Sequence, residues 1–312
     1  LSRHHATGLR LRDHLADDGR QCTMNSEPAS EGMVEQKAAA LLSAVREAGP
    51  FAVAYSGGAD SALVLAAGAR ALGPGGVLAV TAVSESLAAG ELSAARALAD
   101  SLGVTHLAPR TDELGSAGYR ANGRDRCYFC KSEVLDVIAA VAHEHGFRQL
   151  ATGTNADDAV DPFRPGIRAG RERSVLTPLR DTGLSKVDVR AVSRLWSLRT
   201  WDKPATPCLA SRIRYGIPVT GHRLARIDRA EVAVRQLLDG AGLRSEQVRV
   251  RDLGDSVRIE LDPAVVDPAA ELTSLAEAVA TAGFGAVPVV IDGFASGRLN
   301  HDLVPAEARR PA

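Results

Sequence analysis

Phe51-Ala52-Val53-Ala54-Tyr55 runs into Ser56-Gly57-Gly58-Ala59-Asp60-Ser61, and that into Ala62-Leu63-Val64-Leu65-Ala66-Ala67. An apolar run, a glycine turn and a second apolar run read as strand, turn and helix. Such a turn aims backbone N–H groups and the positive end of a helix at an anion. Gly57 and Gly58 let the main chain approach a phosphate with no Cβ in the way. Ser56 and Ser61 add hydroxyl donors. Asp60 repels a bare anion, so its presence points to a bound cation or a polar network beside the phosphates. The turn lacks the Gly-Lys-Ser/Thr that ends a Walker loop.

Working outward, Val34 to Ala48 has helical apolar spacing through Ala38, Leu41, Leu42 and Val45. Val77 to Val83 is a second buried strand. Leu92 to Leu102 is a helix ended by Gly103, Thr105 to Ala108 a third strand, Val134 to His145 a helix, and Gln149 to Gly153 a fourth strand. Strands alternating with helices predict an α/β fold with a doubly wound parallel sheet. Ligands on such sheets sit at the carboxyl ends of strands. Ser56, Ser84 and Gly153-Thr154-Asn155 all fall at such ends, so one site collects residues distant in sequence.

The texture changes after Tyr215-Gly216. Leu224 to Leu238 reads as a helix closed by Gly240. Val248 to Val250 and Ser256 to Leu261 read as paired strands about Gly254-Asp255. A helix near 269–282 and a strand Val287 to Ile291 follow. The expected organisation is a disordered extension over 1–33, an α/β domain carrying the glycine turn over 34–215, a smaller α+β domain over 216–302, and a flexible tail over 303–312. The extension is alternatively upstream translation ahead of Met24 or Met33.

Hydrophobic residues make up 45% and charged residues 24% of 312 residues, with a net charge of −1. That is ordinary soluble-protein composition. No basic excess argues for a nucleic-acid footprint, and no apolar run approaches the length of a membrane span. Four cysteines do not make a secreted disulfide framework, so cytoplasmic thiol or metal chemistry is expected. Cys22 is assigned no role.

Cys127-Tyr128-Phe129-Cys130-Lys131 is a C-x-x-C pair, and Cys208 lies in Pro207-Cys208-Leu209-Ala210-Ser211-Arg212. Several readings stay open on spacing alone. A structural zinc site lacks a fourth cysteine unless Cys22 or a histidine serves. A redox pair is flanked by Arg126 and Lys131, which favour thiolate, but the surrounding chain is not thioredoxin-like. Three cysteines also suit a [4Fe–4S] cluster with one iron left free. Cys208 as a lone sulfur nucleophile, and three unrelated thiols, complete the set.

The turn resembles the SGGxDS signature of the PP-loop ATP pyrophosphatases, which cut ATP between the α and β phosphates and adenylate a substrate. The resemblance narrows further with Asp125-Arg126-Cys127-Tyr128-Phe129-Cys130-Lys131, Thr152-Gly153-Thr154-Asn155-Ala156-Asp157-Asp158, Arg164-Pro165-Gly166, Trp201-Asp202-Lys203-Pro204-Ala205 and Cys208-Leu209-Ala210-Ser211-Arg212. Over about Val34 to Asn300 the chain is similar to the LarE-type ATP-dependent sulfur transferases.

The resemblance implies a pyridinium-3,5-biscarboxylic acid mononucleotide substrate. Its carboxylates are adenylated by MgATP and converted to thiocarboxylates for a nickel-pincer cofactor. Ser56, Gly57, Gly58, Asp60 and Ser61 are then expected at the phosphates, with Mg²⁺ offsetting their charge. Ser84 is expected in the adenosine pocket, and Arg212 at a phosphate or beside the sulfur. Arg249 and Arg251 are candidates for the substrate's 5′-phosphate, and Glu231 matches an acidic, metal-binding position of the family. In one branch three cysteines, matched by Cys127, Cys130 and Cys208, hold a [4Fe–4S] cluster and an external sulfide donor supplies the sulfur. In the other, Cys208 gives up its own sulfur and becomes dehydroalanine. The full three-cysteine set favours the cluster branch. The resemblance also implies a homo-oligomer, a hexamer. A PP-loop tRNA thiolase and an amide-forming ligase are the enzyme alternatives. The net charge argues against the first, and a ligase would not need the cysteines.

Overall fold

The computed structural model describes residues 31–160 and 165–301. Residues 1–30 with Cys22, residues 161–164 with Arg164, and residues 302–312 lie outside the described residues, while Glu31 to Met33, expected in the disordered extension, begin the first helix. The first unit runs α1 (Glu31–Ala48), β1 (Phe51–Ala54), α2 (Ala59–Leu72), β2 (Val77–Val80), α3 (Glu91–Ser101), β3 (His106–Leu107), α4 (Ala117–Arg120), α5 (Arg126–Glu144) and β4 (Leu150–Ala151). It continues with α6 (Pro165–Glu172), α7 (Pro178–Asp181) and α8 (Lys186–Leu195). The four strands pair in parallel in the order β3-β2-β1-β4. Parallel neighbours need crossover connections, and α2 supplies the one between β1 and β2.

Successive strand residues point to opposite faces, and here both faces are covered. Phe51, Val53, Val77 and Ala79 meet apolar residues of α1, α2, α3 and α8 in one core. Ala52, Ala54, Leu78 and Val80 meet Leu135, Ile138 and Ala142 of α5 in another. Burial on both faces accounts for the unbroken apolar runs of β1 and β2, rather than an alternating pattern. The strands are shorter than their apolar runs. At Thr81 the hydroxyl donates to the Tyr55 carbonyl at 2.7 Å, across to the neighbouring strand's end. Beyond that level the described pairing thins to a single bridge, Val83 with Arg110, and a crevice opens at the carboxyl ends.

The second unit is α9 (Gly221–Gly240), β5 (Arg249–Asp252), β6 (Val257–Leu261), α10 (Pro263–Ala270), α11 (Ser274–Val279), β7 (Val289–Gly293) and α12 (Arg298–His301). β5 and β6 are antiparallel, whereas β7 joins β6 in parallel. The helix expected near 269–282 is two segments followed by a wide turn over Ala280–Phe284, where Gly283 has φ 111°. The core of this unit also takes Tyr119, Leu209, Ala210 and Ile213. Residues from before the expected boundary at 215 therefore help build the smaller unit.

The helix expected from Val134 begins at Arg126. In this first turn Cys130 and Lys131 line a cleft, and Phe129 and Cys130 pack against the core of the second unit rather than that of the sheet. Ring atoms of Phe129 lie where a Cβ on Gly118 would fall, within 2.4 Å. α8 escaped the sequence reading, although Ser185-Lys186-Val187-Asp188 forms a full capping box at its start.

Candidate active site

The glycine turn leaves β1 at Tyr55, whose N–H donates to the Val80 carbonyl at 2.8 Å. Gly57 has φ 71°, and a Cβ there would meet the Cβ of Ala95 at 3.1 Å. Gly58 precedes α2 with no side chain to cap it, so the turn leaves room for an outside anion. The serines tie the turn together. Ser61 Oγ donates to the Gly58 carbonyl at 3.1 Å and lies 3.2 Å from Ser56 Oγ. Gly153, after β4, passes so close that a Cβ would lie 2.5 Å from Ser61 N and 2.7 Å from the Asp60 carbonyl carbon. Asn155 Nδ2 then reaches Asp60 Oδ1 at 3.1 Å, and the Lys186 ammonium pairs with the same carboxylate. The Asp60 charge is thus met by a polar network. Asp157 and Asp158 order the loop: they accept from the N–H groups of Lys186 at 2.8 Å and Asn155 at 3.1 Å.

A cleft of about 210 Å³ opens beside the turn. Its walls include Tyr55, Ser56, Ser84, Glu91, Cys130, Lys131 and Cys208. Ser56 of the turn and Cys208, far apart in sequence, therefore face one space. Cys208 is brought there by a strap over 203–209, fastened at both ends. Lys203 Nζ donates to the Gly57 carbonyl at 3.1 Å and pairs with Glu91 at 2.9 Å. Leu209 N–H donates to the Ser86 carbonyl at 2.9 Å.

Arg212 was expected at a phosphate or at the sulfur. It is instead 2% exposed. Its guanidinium donates to both oxygens of Glu231, at 2.8 and 3.2 Å, and to the Pro207 and Cys208 carbonyls at 2.5 and 3.3 Å. It holds the strap from beneath. Glu231, expected at a metal, has its carboxylate occupied by Arg212 and by the Val250 N–H at 3.0 Å, which leaves it turned inward in the helix α9.

The three cysteines share one electrostatic neighbourhood. Arg126 is buried and donates to Asn122 Oδ1 at 2.6 Å and the Ala210 carbonyl at 2.9 Å, with Cys127 Sγ at 3.9 Å. Burial works to lower its pKa, but the proximity of Cys208, Cys127 and Tyr215 outweighs it and raises it. Burial pushes the Cys130 thiol well up, and Cys208, Glu113 and Cys127 push it further. Burial lowers the Lys131 ammonium against an opposing pull from Cys130. Burial also raises the Glu113 carboxyl. Cys127 is the exposed member of the three.

On the other side of the strap lies a second cleft of about 220 Å³, lined by Arg126, Tyr215, Arg249, Arg251 and Arg298 among others. Pro207 lines both clefts. Arg249 and Arg251 are not a solvated strand face: both are buried. Arg249 donates to the Ala205 carbonyl at 2.9 Å, and Arg251 to the Ser211 carbonyl at 2.9 Å and to Glu260. Burial, with Arg212 and Arg251 nearby, brings the Arg249 pKa down to about 10.

A pyridinium-3,5-bisthiocarboxylic acid mononucleotide synthase from Lactiplantibacillus plantarum is 32% identical over 272 residues, covering 87% of this chain and 96% of that one. The chain belongs to the family of these synthases. An uncharacterized protein of Synechocystis sp. is 41% identical over 274 residues, 87% of this chain and 99% of that protein. One from Methanocaldococcus jannaschii is 26% identical over 141 residues, 45% of this chain and 52% of the other. No family model matches the chain.

In this synthase-family chain the sequence reading gave no site role to Lys186, Lys203 or Glu91. Lys203 stood inside a quoted motif without a role, whereas Lys186 and Glu91 stood in none, and the partners of all three are remote in sequence. Among the described residues no three His, Cys, Asp or Glu side chains converge on a point that could hold a single metal ion. A [4Fe–4S] cluster makes a different demand, one thiolate per iron. Cys130 and Cys208 on one cleft supply two of the thiols such a cluster takes, and Cys127 lies one helical turn before Cys130 outside the lining of that cleft. Among the described residues no helix is long and apolar enough to cross a membrane.

Proposed function

We propose that the chain is an ATP-dependent sulfur transferase of nickel-pincer cofactor biosynthesis, acting on the carboxylates of pyridinium-3,5-biscarboxylic acid mononucleotide. The observation that carries this reading is Cys208 opening on the same cleft as Ser56 of the glycine turn. Membership of the synthase family supports the substrate class.

A carboxylate is a poor electrophile because oxide is a poor leaving group. In the first step a carboxylate oxygen attacks the α-phosphorus of ATP. The bond from that phosphorus to the bridging oxygen breaks, and pyrophosphate leaves with the electron pair. Ser56, Gly57, Gly58 and Ser61 bind and orient the phosphates at the positive end of α2. Asp60, held by Asn155 and Lys186, fits the side where Mg²⁺ would offset phosphate charge. Ser84, on the wall of the cleft, would face the adenosine. In the second step sulfur attacks the acyl carbon, the carbon–oxygen bond breaks, and AMP leaves with that electron pair.

Two sulfur sources are compatible with position 208. Cys127, Cys130 and Cys208 would hold a [4Fe–4S] cluster, whose fourth iron would present hydrosulfide from an external donor. Alternatively the Cys208 thiolate itself attacks; loss of its Cα proton and cleavage of its Cβ–S bond then leave thiocarboxylate product and dehydroalanine. The arginine-lined second cleft, through Arg249 and Arg251, suits the 5′-phosphate of the substrate, with Pro207 and the strap between phosphate and cysteine.

Anaerobic purification with iron and sulfide analysis, then intact mass after turnover, tests the reading. A brown protein of unchanged mass supports the cluster source. A colourless protein that loses one sulfur and two hydrogens supports sacrifice of Cys208. Normal thiocarboxylate formation by Cys208→Ser overturns both.

A further inference from the structure

Three lysines stand around the reaction cleft, and they differ in one respect. Lys186 is paired with Asp60, and Lys203 with Glu91. Lys131 lines the cleft yet has no hydrogen-bond or ion-pair partner among the described residues. Its stem is held in place: a Cβ on Gly166, in the first turn of α6, would lie 3.5 Å from Lys131 Cβ and 3.3 Å from the Cys127 carbonyl oxygen. Glycine there lets α6 press on the root of the side chain, which hangs from α5 directly after Cys130. The side chain is anchored at its base, and beyond the pull of the neighbouring Cys130 no carboxylate among the described residues pairs with its head.

Adenylation has an electrostatic problem that such a cation answers. A carboxylate must reach the α-phosphorus of a polyanion, in a cleft whose walls already carry Glu91 and Glu113. The charges of Lys186 and Lys203 are answered by carboxylates before any ligand arrives. We infer that Lys131 is a catalytic residue of the adenylation step: its ammonium contacts the oxygens of the α-phosphate as the substrate carboxylate attacks. Charge builds on those oxygens while the phosphorus passes between the attacking carboxylate oxygen and the departing pyrophosphate, and a fixed cation is worth most at that moment. The same contact persists on the acyl adenylate, where AMP leaves as sulfur attacks from the Cys130 and Cys208 side.

This inference rests on the proposed adenylation of a pyridinium dicarboxylate, and its test separates the two. Pyrophosphate release by the full chain is followed with MgATP and pyridinium-3,5-biscarboxylic acid mononucleotide, alongside nucleotide affinity and thermal unfolding. Lys131→Met, which keeps the stem, should lower kcat for pyrophosphate release by about 10²–10³, the usual cost of one electrostatic contact to a transition state. Nucleotide Kd should move by less than about tenfold, and Lys131→Arg should recover a large part of kcat because it keeps the charge. Lys131→Gln serves in the same way if Lys131→Met melts early. Lys131→Met or Lys131→Gln releasing pyrophosphate at close to the wild-type rate overturns the role of Lys131 alone. So does a loss confined to nucleotide Kd, or Lys131→Arg as inactive as Lys131→Met. Wild-type chain that releases no pyrophosphate with this substrate overturns the substrate reading, and the role built on it.

Discussion

Arg212→Met should separate a strap-holding arginine from a phosphate-binding one. The native guanidinium is 2% exposed and carries the Glu231 carboxylate together with the Pro207 and Cys208 carbonyls. Methionine retains much of the volume and none of the donors. Removing one member of a buried ion pair costs about 3–5 kcal/mol, because the other charge stays behind unanswered. Val250 N–H still donates to Glu231, so the loss should fall toward the lower end, about 3 kcal/mol. Adding Glu231→Gln removes the stranded charge while keeping an acceptor for Val250. The double variant should therefore be more stable than Arg212→Met alone, with a coupling of about 1–3 kcal/mol between the sites. Urea unfolding of the four proteins, with the slope checked for constancy, measures this. In turnover, a loosened strap should lower thiocarboxylate formation more than pyrophosphate release. The reasoning is refuted if Arg212→Met unfolds within about 1 kcal/mol of wild type, or if pyrophosphate release and thiocarboxylate formation fall by the same factor.

Gly153→Ala places a methyl 2.5 Å from Ser61 N, a contact the backbone must move to relieve. It should destabilise by about 1–3 kcal/mol and weaken nucleotide binding; calorimetric titration showing native affinity would refute the close-approach argument. Lys203→Met cuts the strap from Gly57 and Glu91. The pair is partly exposed, so stability should change by less than about 1 kcal/mol, while alkylation of Cys208 by iodoacetamide should speed up; an unchanged rate removes Lys203 as a fastening. Glu113→Gln tests the burial that raises this carboxyl. Its folded pKa lies above the unfolded value of about 4.3, so the folded state holds the proton more tightly. Stability from this group is full below that unfolded value and declines as pH rises through the interval to the folded one. Glu113→Gln should flatten the decline, and unfolding midpoints that fall identically with pH in both proteins would refute it.

Much of the architecture was legible because it is local. The β1–turn–α2 unit, the alternation of strands and helices, and the change of texture near residue 216 rest on runs and turn residues that a linear reading can count. Where the reading missed, the deciding interaction was remote. The start of α5 at Arg126 depends on what Cys127 to Lys131 face, not on their period. The strand expected over Val77 to Val83 ends at Val80, and past it Thr81 and Val83 keep backbone N–H bonds to the Leu107 and Pro109 carbonyls, on one side only. Arg212 and Glu231 looked like ligand-binding residues, because a charged side chain at a motif position carries no mark of being buried. Their mutual pairing turns both inward.

The chain's order along the backbone determined that an anion-binding glycine turn would stand at a strand's carboxyl end, and that three thiols existed to be used. Which of them meet the turn was decided by folding alone. The strap over 203–209 closes against the crevice because Lys203 and Leu209 find the Gly57 and Ser86 carbonyls, while Arg249 of the second unit donates to the Ala205 carbonyl. Those contacts join segments more than a hundred residues apart or in different units, and no spacing rule encodes them. A motif specifies which atoms are offered; only packing and charge pairing specify where they are brought together.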